Sequence, residues 1–160
     1  MPASYPGSVK NFTTKVDGVD DVQAAHVNDL QLEVAAVETD LLSYWVDRSG
    51  SSTVTGWAAG VQKEIKTLKI GKWVLVQFFI NGTSNDSVAR FTLPYVCSGI
   101  SRTGGPITAL DAGAPVGGAV VLMGHMATLV ECYKDLNGTG WTSTGYKTIY
   151  GQFWYYTDTA

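Results

Sequence analysis

The chain has 160 residues, of which 45% are hydrophobic, 11% aromatic and 16% charged, with 18 glycines and a formal net charge of −3. That length holds one compact domain plus an appendage, and the balance of Gly and aromatics over charge favours many short strands over a helical bundle. Residues 1–50 carry three basic against eight acidic side chains, net −5, and residues 51–160 carry eight against six, net +2; neither part clusters Lys and Arg as nucleic-acid binding requires.

The first residues, Met1-Pro2-Ala3-Ser4-Tyr5-Pro6-Gly7, lack the cationic and apolar regions of a signal peptide. No apolar run approaches the roughly 20 residues that span a bilayer, so synthesis and retention in a cytoplasm are expected. Residues 1–19 are rich in Pro, Gly, Ser and Thr, with isolated Val9, Phe12, Val16 and Val19. This composition predicts an extended arm without a core of its own, laid on a partner.

From Asp20 the pattern turns helical, with Asp20 or Asp21 as cap and no Gly or Pro before Gly50, so a helix over 20–47 is expected. Val27, Leu30, Val34, Val37, Leu41 and Tyr44 follow one another at spacings of three and four. They form a heptad seam, with Val27, Val34 and Leu41 at a and the others at d. Asp29, Gln31, Glu33, Glu38 and Asp40 are read as outer, solvated positions. A helix between an arm and the Ser49-Gly50-Ser51-Ser52 segment, taken as part of a linker over 48–56, predicts self-association more than packing on its own domain.

Beyond the linker the period becomes two. Strands are expected over Glu64–Lys69, Trp73–Ile80, Val88–Leu93, Ala119–Met123, Ala127–Lys134 and Tyr146–Tyr156, the second of them apolar on nearly both faces. Residues 98–118, with six Gly and two Pro, read as mostly loop with one short strand near 107–110. Asn81-Gly82 and Asn137-Gly138 read as turns. The fold class is therefore α+β: an N-terminal arm and a single coiled-coil helix, followed over 57–160 by an antiparallel β-sandwich or jelly-roll head.

Tyr5-Pro6-Gly7-Ser8-Val9-Lys10-Asn11-Phe12-Thr13, then Val16-Asp17-Gly18-Val19-Asp20 and Ala24-Ala25-His26-Val27-Asn28-Asp29-Leu30-Gln31, resemble the N-terminal segment of fibre-type virion proteins of tailed phages. Lys69-Ile70-Gly71-Lys72, Asn81-Gly82-Thr83-Ser84-Asn85, Phe91-Thr92-Leu93-Pro94 and the stretch from Trp141 to Tyr155 are similar to the distal β domain of those proteins. The resemblance implies a homotrimeric short fibre or decoration protein of the virion. Its arm, with Tyr5, Pro6, Val9 and Phe12, would dock on capsid or tail proteins, and Val27 to Tyr44 would zip the trimer. The alternative is a receptor-binding fibre tip or glycan-binding adhesin module.

Little else signals chemistry. His26 falls at a g position and His125 in a loop, and Cys97 and Cys132 lack the spacing of a zinc site and read as two small buried hydrophobes. No nucleophile with a base and no carboxylate pair is apparent, so no catalytic residue, metal or cofactor is expected. Trp57, Trp73, Trp141, Phe153, Trp154, Tyr155 and Tyr156 could stack on sugar rings, though strand alternation should send most to the core or to interfaces. Trp141, Trp154 and Tyr156 are the candidate glycan contacts, with Trp141 foremost because it follows the Asn137-Gly138-Thr139-Gly140 loop.

Overall fold

The computed structural model describes residues 24–41, 44–99, 103–124 and 126–158. The chain divides into two compact units, 1–43 and 44–159, the last residue grouping with the first unit. In the first, helix α1 spans Ala24–Leu41, 18 residues, or about 27 Å of axis. The expected caps Asp20 and Asp21 and the arm residues Tyr5, Pro6, Val9 and Phe12 lie outside the described residues.

The second unit holds eleven strands: β1 Val46–Asp47, β2 Val54–Thr55, β3 Gln62–Ile70, β4 Trp73–Thr83, β5 Arg90–Thr92, β6 Thr103–Pro106, β7 Thr108–Asp111, β8 Ala114–Val116, β9 Val120–Met123, β10 Leu129–Tyr133 and β11 Tyr146–Tyr156. They form a six-stranded sheet, β1-β3-β4-β11-β7-β8, and a five-stranded sheet, β2-β5-β10-β9-β6. All pairings are antiparallel. The expectation of an antiparallel two-sheet domain is met. One core joins the sheets: Val74, Val76 and Phe78 of β4 and Phe153 and Tyr155 of β11 cluster with Phe91 of β5, Val121 of β9 and Val130 of β10. Phe78 and Phe91 meet across the layers at 4.9 Å between ring centroids. Cys97 and Cys132 are buried in that core as two small hydrophobes and are not joined in a disulfide.

The structure corrects the sequence-based boundaries in four places. Helix α1 ends at Leu41, and Tyr44 belongs to the β unit. Val46 and Asp47 pair with Thr67 and Lys66, where their β-branched and aromatic neighbourhood favours a strand once a partner edge is present. Residues 48–56 are not a linker. The Arg48 amide donates to the Ile65 carbonyl at 2.6 Å, the Ile65 amide to Ser49 Oγ at 2.9 Å, and Lys63 Nζ to the Ser52 carbonyl at 2.6 Å. Ser52 is buried and Val54–Thr55 pairs with β5.

Asn81-Gly82 is no turn either: it runs inside β4, opposite Thr148 and Lys147 of β11. The Asn81 carbonyl oxygen accepts from Thr148 Oγ1 at 2.8 Å and its amide donates to Gln62 Oε1 at 3.3 Å, so side-chain bonds to both neighbouring strands hold the residue extended. Residues 103–116, expected as mostly loop, supply three strands. Ala112 and Gly113, both at positive φ (50° and 82°), make the tight two-residue connection between β7 and β8, a geometry that matches strand twist.

Gly56 is the tightest backbone contact next to the core. Its φ is +103°, and a methyl group built on it would overlap the Val88 carbonyl. Gly56→Ala is expected to destabilise the β unit by at least about 2 kcal/mol, through both the strained φ and the clash. A denaturant midpoint unchanged from wild type would refute this.

Candidate functional site

Among the described residues, each unit leaves an apolar surface open to solvent. On α1, Val27, Leu30 and Val34 are 46%, 53% and 48% exposed, and Val37 is half-buried. Leu41 closes the helix and the nature of its side-chain surroundings is outside the described set; Tyr44 lies beyond the helix, 74% exposed. The face of α1 withdrawn from water runs along His26, Asp29, Glu33 and Val37, a step round from the heptad seam. Glu33, expected as a solvated outer position, is only 8% exposed. A carboxylate so placed must be met by polar partners.

The second surface is the outer face of the six-stranded sheet. Alternation sends Val74, Val76, Phe78 and Ile80 of β4 into the core and leaves Trp73, Leu75, Gln77 and Phe79 outside. Register with β11 sets Tyr156 beside Trp73, Trp154 beside Leu75, Gln152 beside Gln77 and Tyr150 beside Phe79. On the other side β3 places Ile70, Leu68, Lys66 and Glu64 opposite the same four residues. Trp73 and Trp154 are 49% and 56% exposed. Trp73 packs edge to face on Trp154, centroids 4.9 Å apart, and on Tyr156 at 5.3 Å. Lys66 and Glu64 form an ion pair within the face. Beside them a shallow depression of about 260 Å³ opens between Glu64, Lys66, Phe79, Tyr150 and Gln152.

Trp154 and Tyr156 lie on this face, both in ring contact with Trp73. Trp141 does not join them. It is 4% exposed in the core and its indole N–H donates to the Cys132 carbonyl at 2.7 Å. The loop after Gly138 leads back beneath the sheet, because the Trp141 amide also donates to the Ser87 carbonyl at 2.8 Å. A stacking role for Trp141 is thereby corrected: both its faces are occupied by protein.

The outer face of the five-stranded sheet is built differently. Arg90 Nε pairs with Glu131 Oε1 at 2.7 Å, and Tyr133 donates to Glu131 Oε2 at 3.0 Å. Burial, then the bond to Glu131, pushes the Tyr133 hydroxyl pKa up. Among the described residues no group of three His, Cys, Asp or Glu side chains is placed to hold a metal ion. No described helix is long and apolar enough to cross a membrane. His26 lies half-buried on α1, and His125 is outside the described residues.

Sequence reasoning missed one buried cation. Lys147 is fully buried, its Nζ donating to the Val88 carbonyl at 2.7 Å and the Asp86 carbonyl at 3.1 Å. The ammonium lies 4.6 Å from the Trp57 ring centroid and 6.0 Å from that of Trp141, a cation–π cage between two indoles. Trp57 in turn donates its indole N–H to the Lys147 carbonyl at 3.0 Å. Nearby, burial alone would raise the Asp111 carboxyl, but bonds from Lys134 and Thr142 outweigh it and hold its pKa below the usual range. The signal available in the sequence was a single Lys on an otherwise aromatic strand, which reads equally well as a solvated edge residue.

Burial lowers the Lys147 pKa to about 8, with the charges of Asp111 and Asp86 acting the other way. The unfolded chain keeps that proton until about pH 10.4, so between the two values the folded state binds fewer protons. Stability is therefore expected to rise as pH increases from about 8 towards 10, by at most about 1.4 kcal/mol per pH unit. Above pH 10 the raised Tyr155 pKa, caused first by burial, reverses the trend. Denaturation at stepped pH checks this; Lys147→Met should lose the rise, and a wild type that weakens steadily from pH 8 to 10 would refute it.

No protein-family model, no curated protein and no solved structure matches this chain.

Proposed function

We propose that this chain is a structural protein of a tailed-phage particle: a homotrimeric short fibre or decoration protein, anchored by its N-terminal arm, with the β unit exposed. It performs no catalysis in this reading and requires no cofactor. The observation that carries the proposal is the row of apolar side chains, Val27, Leu30 and Val34, left about half in water at heptad spacing along α1. A helix that leaves such a row in water gains by burying it against copies of itself, at roughly 25 cal/mol per Å² removed from water. The likeness of residues 5–13, 16–20 and 24–31 to the N-terminal segment of fibre-type virion proteins supports the particle location and the three-fold count.

At 18 residues α1 offers fewer than three heptads, and a seam that short is marginal alone. Assembly therefore depends on both units of the chain contributing contact. Because Leu30 and Val34 are exposed within one chain, charged substitutions there test association without opening the core. Size exclusion with light scattering is expected to report a trimer for wild type. Leu30→Asp combined with Val34→Asp should release lower-mass species at micromolar concentration. A wild type that runs as a monomer would overturn the oligomeric reading, and antibody labelling absent from purified particles would overturn the virion assignment.

A further inference from the structure

We propose that the outer face of β3, β4 and β11 is the surface through which β units of this chain meet one another, an inference that rests on the homo-oligomeric reading above. An antiparallel sheet with a solvated side normally alternates apolar-in and polar-out. The five-stranded sheet follows this rule in part, placing the Arg90–Glu131–Tyr133 network on its outside beside the exposed Leu122 and Leu129. The six-stranded sheet breaks it, with Trp73, Leu75, Phe79, Tyr150 and Trp154 all between 38% and 56% exposed on one face. Contiguous apolar surface of this kind marks an interface.

Three features select a second copy of the chain as the occupant. First, the two charges at the centre of the face, Glu64 and Lys66, pair with each other, and the Lys72 ammonium at its Trp73 end lies over the Tyr156 ring, 5.9 Å from its centroid. Two such faces can meet without the like-charge repulsion that opposes association of a surface with itself. Second, the exposed rings are already engaged edge to face: Trp73 lies at 71° to Trp154 and at 76° to Tyr156. They present a knobbed aromatic cluster suited to side-chain interdigitation, not the flat platform on which a sugar ring stacks. Third, the size fits a shared task. Three strands of nine to eleven residues give a face of about 14 Å by 35 Å, or roughly 500 Å². That is less than the roughly 800 Å² per partner of a standard stable interface. The face alone therefore fits a weak contact between β units, one that needs further association to persist.

The proposal is tested on the full chain with two variants. Leu75→Lys with Trp154→Lys places charge on exposed positions at one end of the face. Gln77→Glu with Gln152→Glu exchanges exposed polar side chains at its centre, a change the fold tolerates even where the first variant does not. Light scattering over a dilution series is expected to show wild type as an oligomer, and both variants dissociating at protein concentrations at least about tenfold higher. Tryptophan quenching by acrylamide should be weaker in assembled wild type than in Leu30→Asp/Val34→Asp. If wild type is oligomeric and both face variants keep its mass and dilution midpoint, the face assignment falls and the homo-oligomeric reading stands. If wild type is monomeric, both fall. If the mass holds while wild type binds purified bacterial cell-wall polysaccharide and Trp154→Lys does not, the face is a sugar site and the proposal is overturned.

Discussion

Eleven consecutive residue pairs between β4 and β11 decide which side chains this protein buries and which it displays. Since strand side chains alternate with a period of two, register assigns every residue of both strands to a face, and a one-residue slip would exchange the faces wholesale. Here both sets are largely apolar. One set, from Val74 to Ile80 and from Ile149 to Tyr155, closes against the five-stranded sheet. The other has no layer above it within the β unit. The core and the open aromatic cluster are consequences of one ladder.

The ladder also explains what the sequence could disclose. Tyr146–Tyr156 is read with its observed limits, because eleven residues of aromatic and β-branched character leave no competing period. The apolar character of both faces of Trp73–Ile80 was likewise visible before any coordinates. What composition hid was pairing at a distance. Val46 and Asp47 extend a helical pattern locally, and only the edge offered by β3 draws them into a strand. Asn81-Gly82 is a hairpin-type dipeptide like Asn137-Gly138, yet Gln62 on one side and Thr148 on the other hold it straight. Trp141 follows a genuine loop, and nothing local reveals that its indole is claimed by Cys132.

Polar groups inside the β unit are handled by enclosure. The Lys147 ammonium is withdrawn from water, but two carbonyls and two indole faces receive it. Such a cage holds together segments distant in sequence: Trp57, the 86–88 loop, Trp141 and β11. Loss of the charge removes a desolvation cost while loss of the side chain removes the tie, so pH and substitution separate the two contributions.

The borders of both sheets carry a different message. Every outermost strand is short: β1 and β2 have two residues, β8 three and β6 four. Two of them contain proline, at Pro106 and Pro115. Rims like these offer almost no free backbone to a passing strand, which closes the route by which sheets lengthen into ribbons. Short, proline-bearing rims leave the faces of the sheets as the more open route to association.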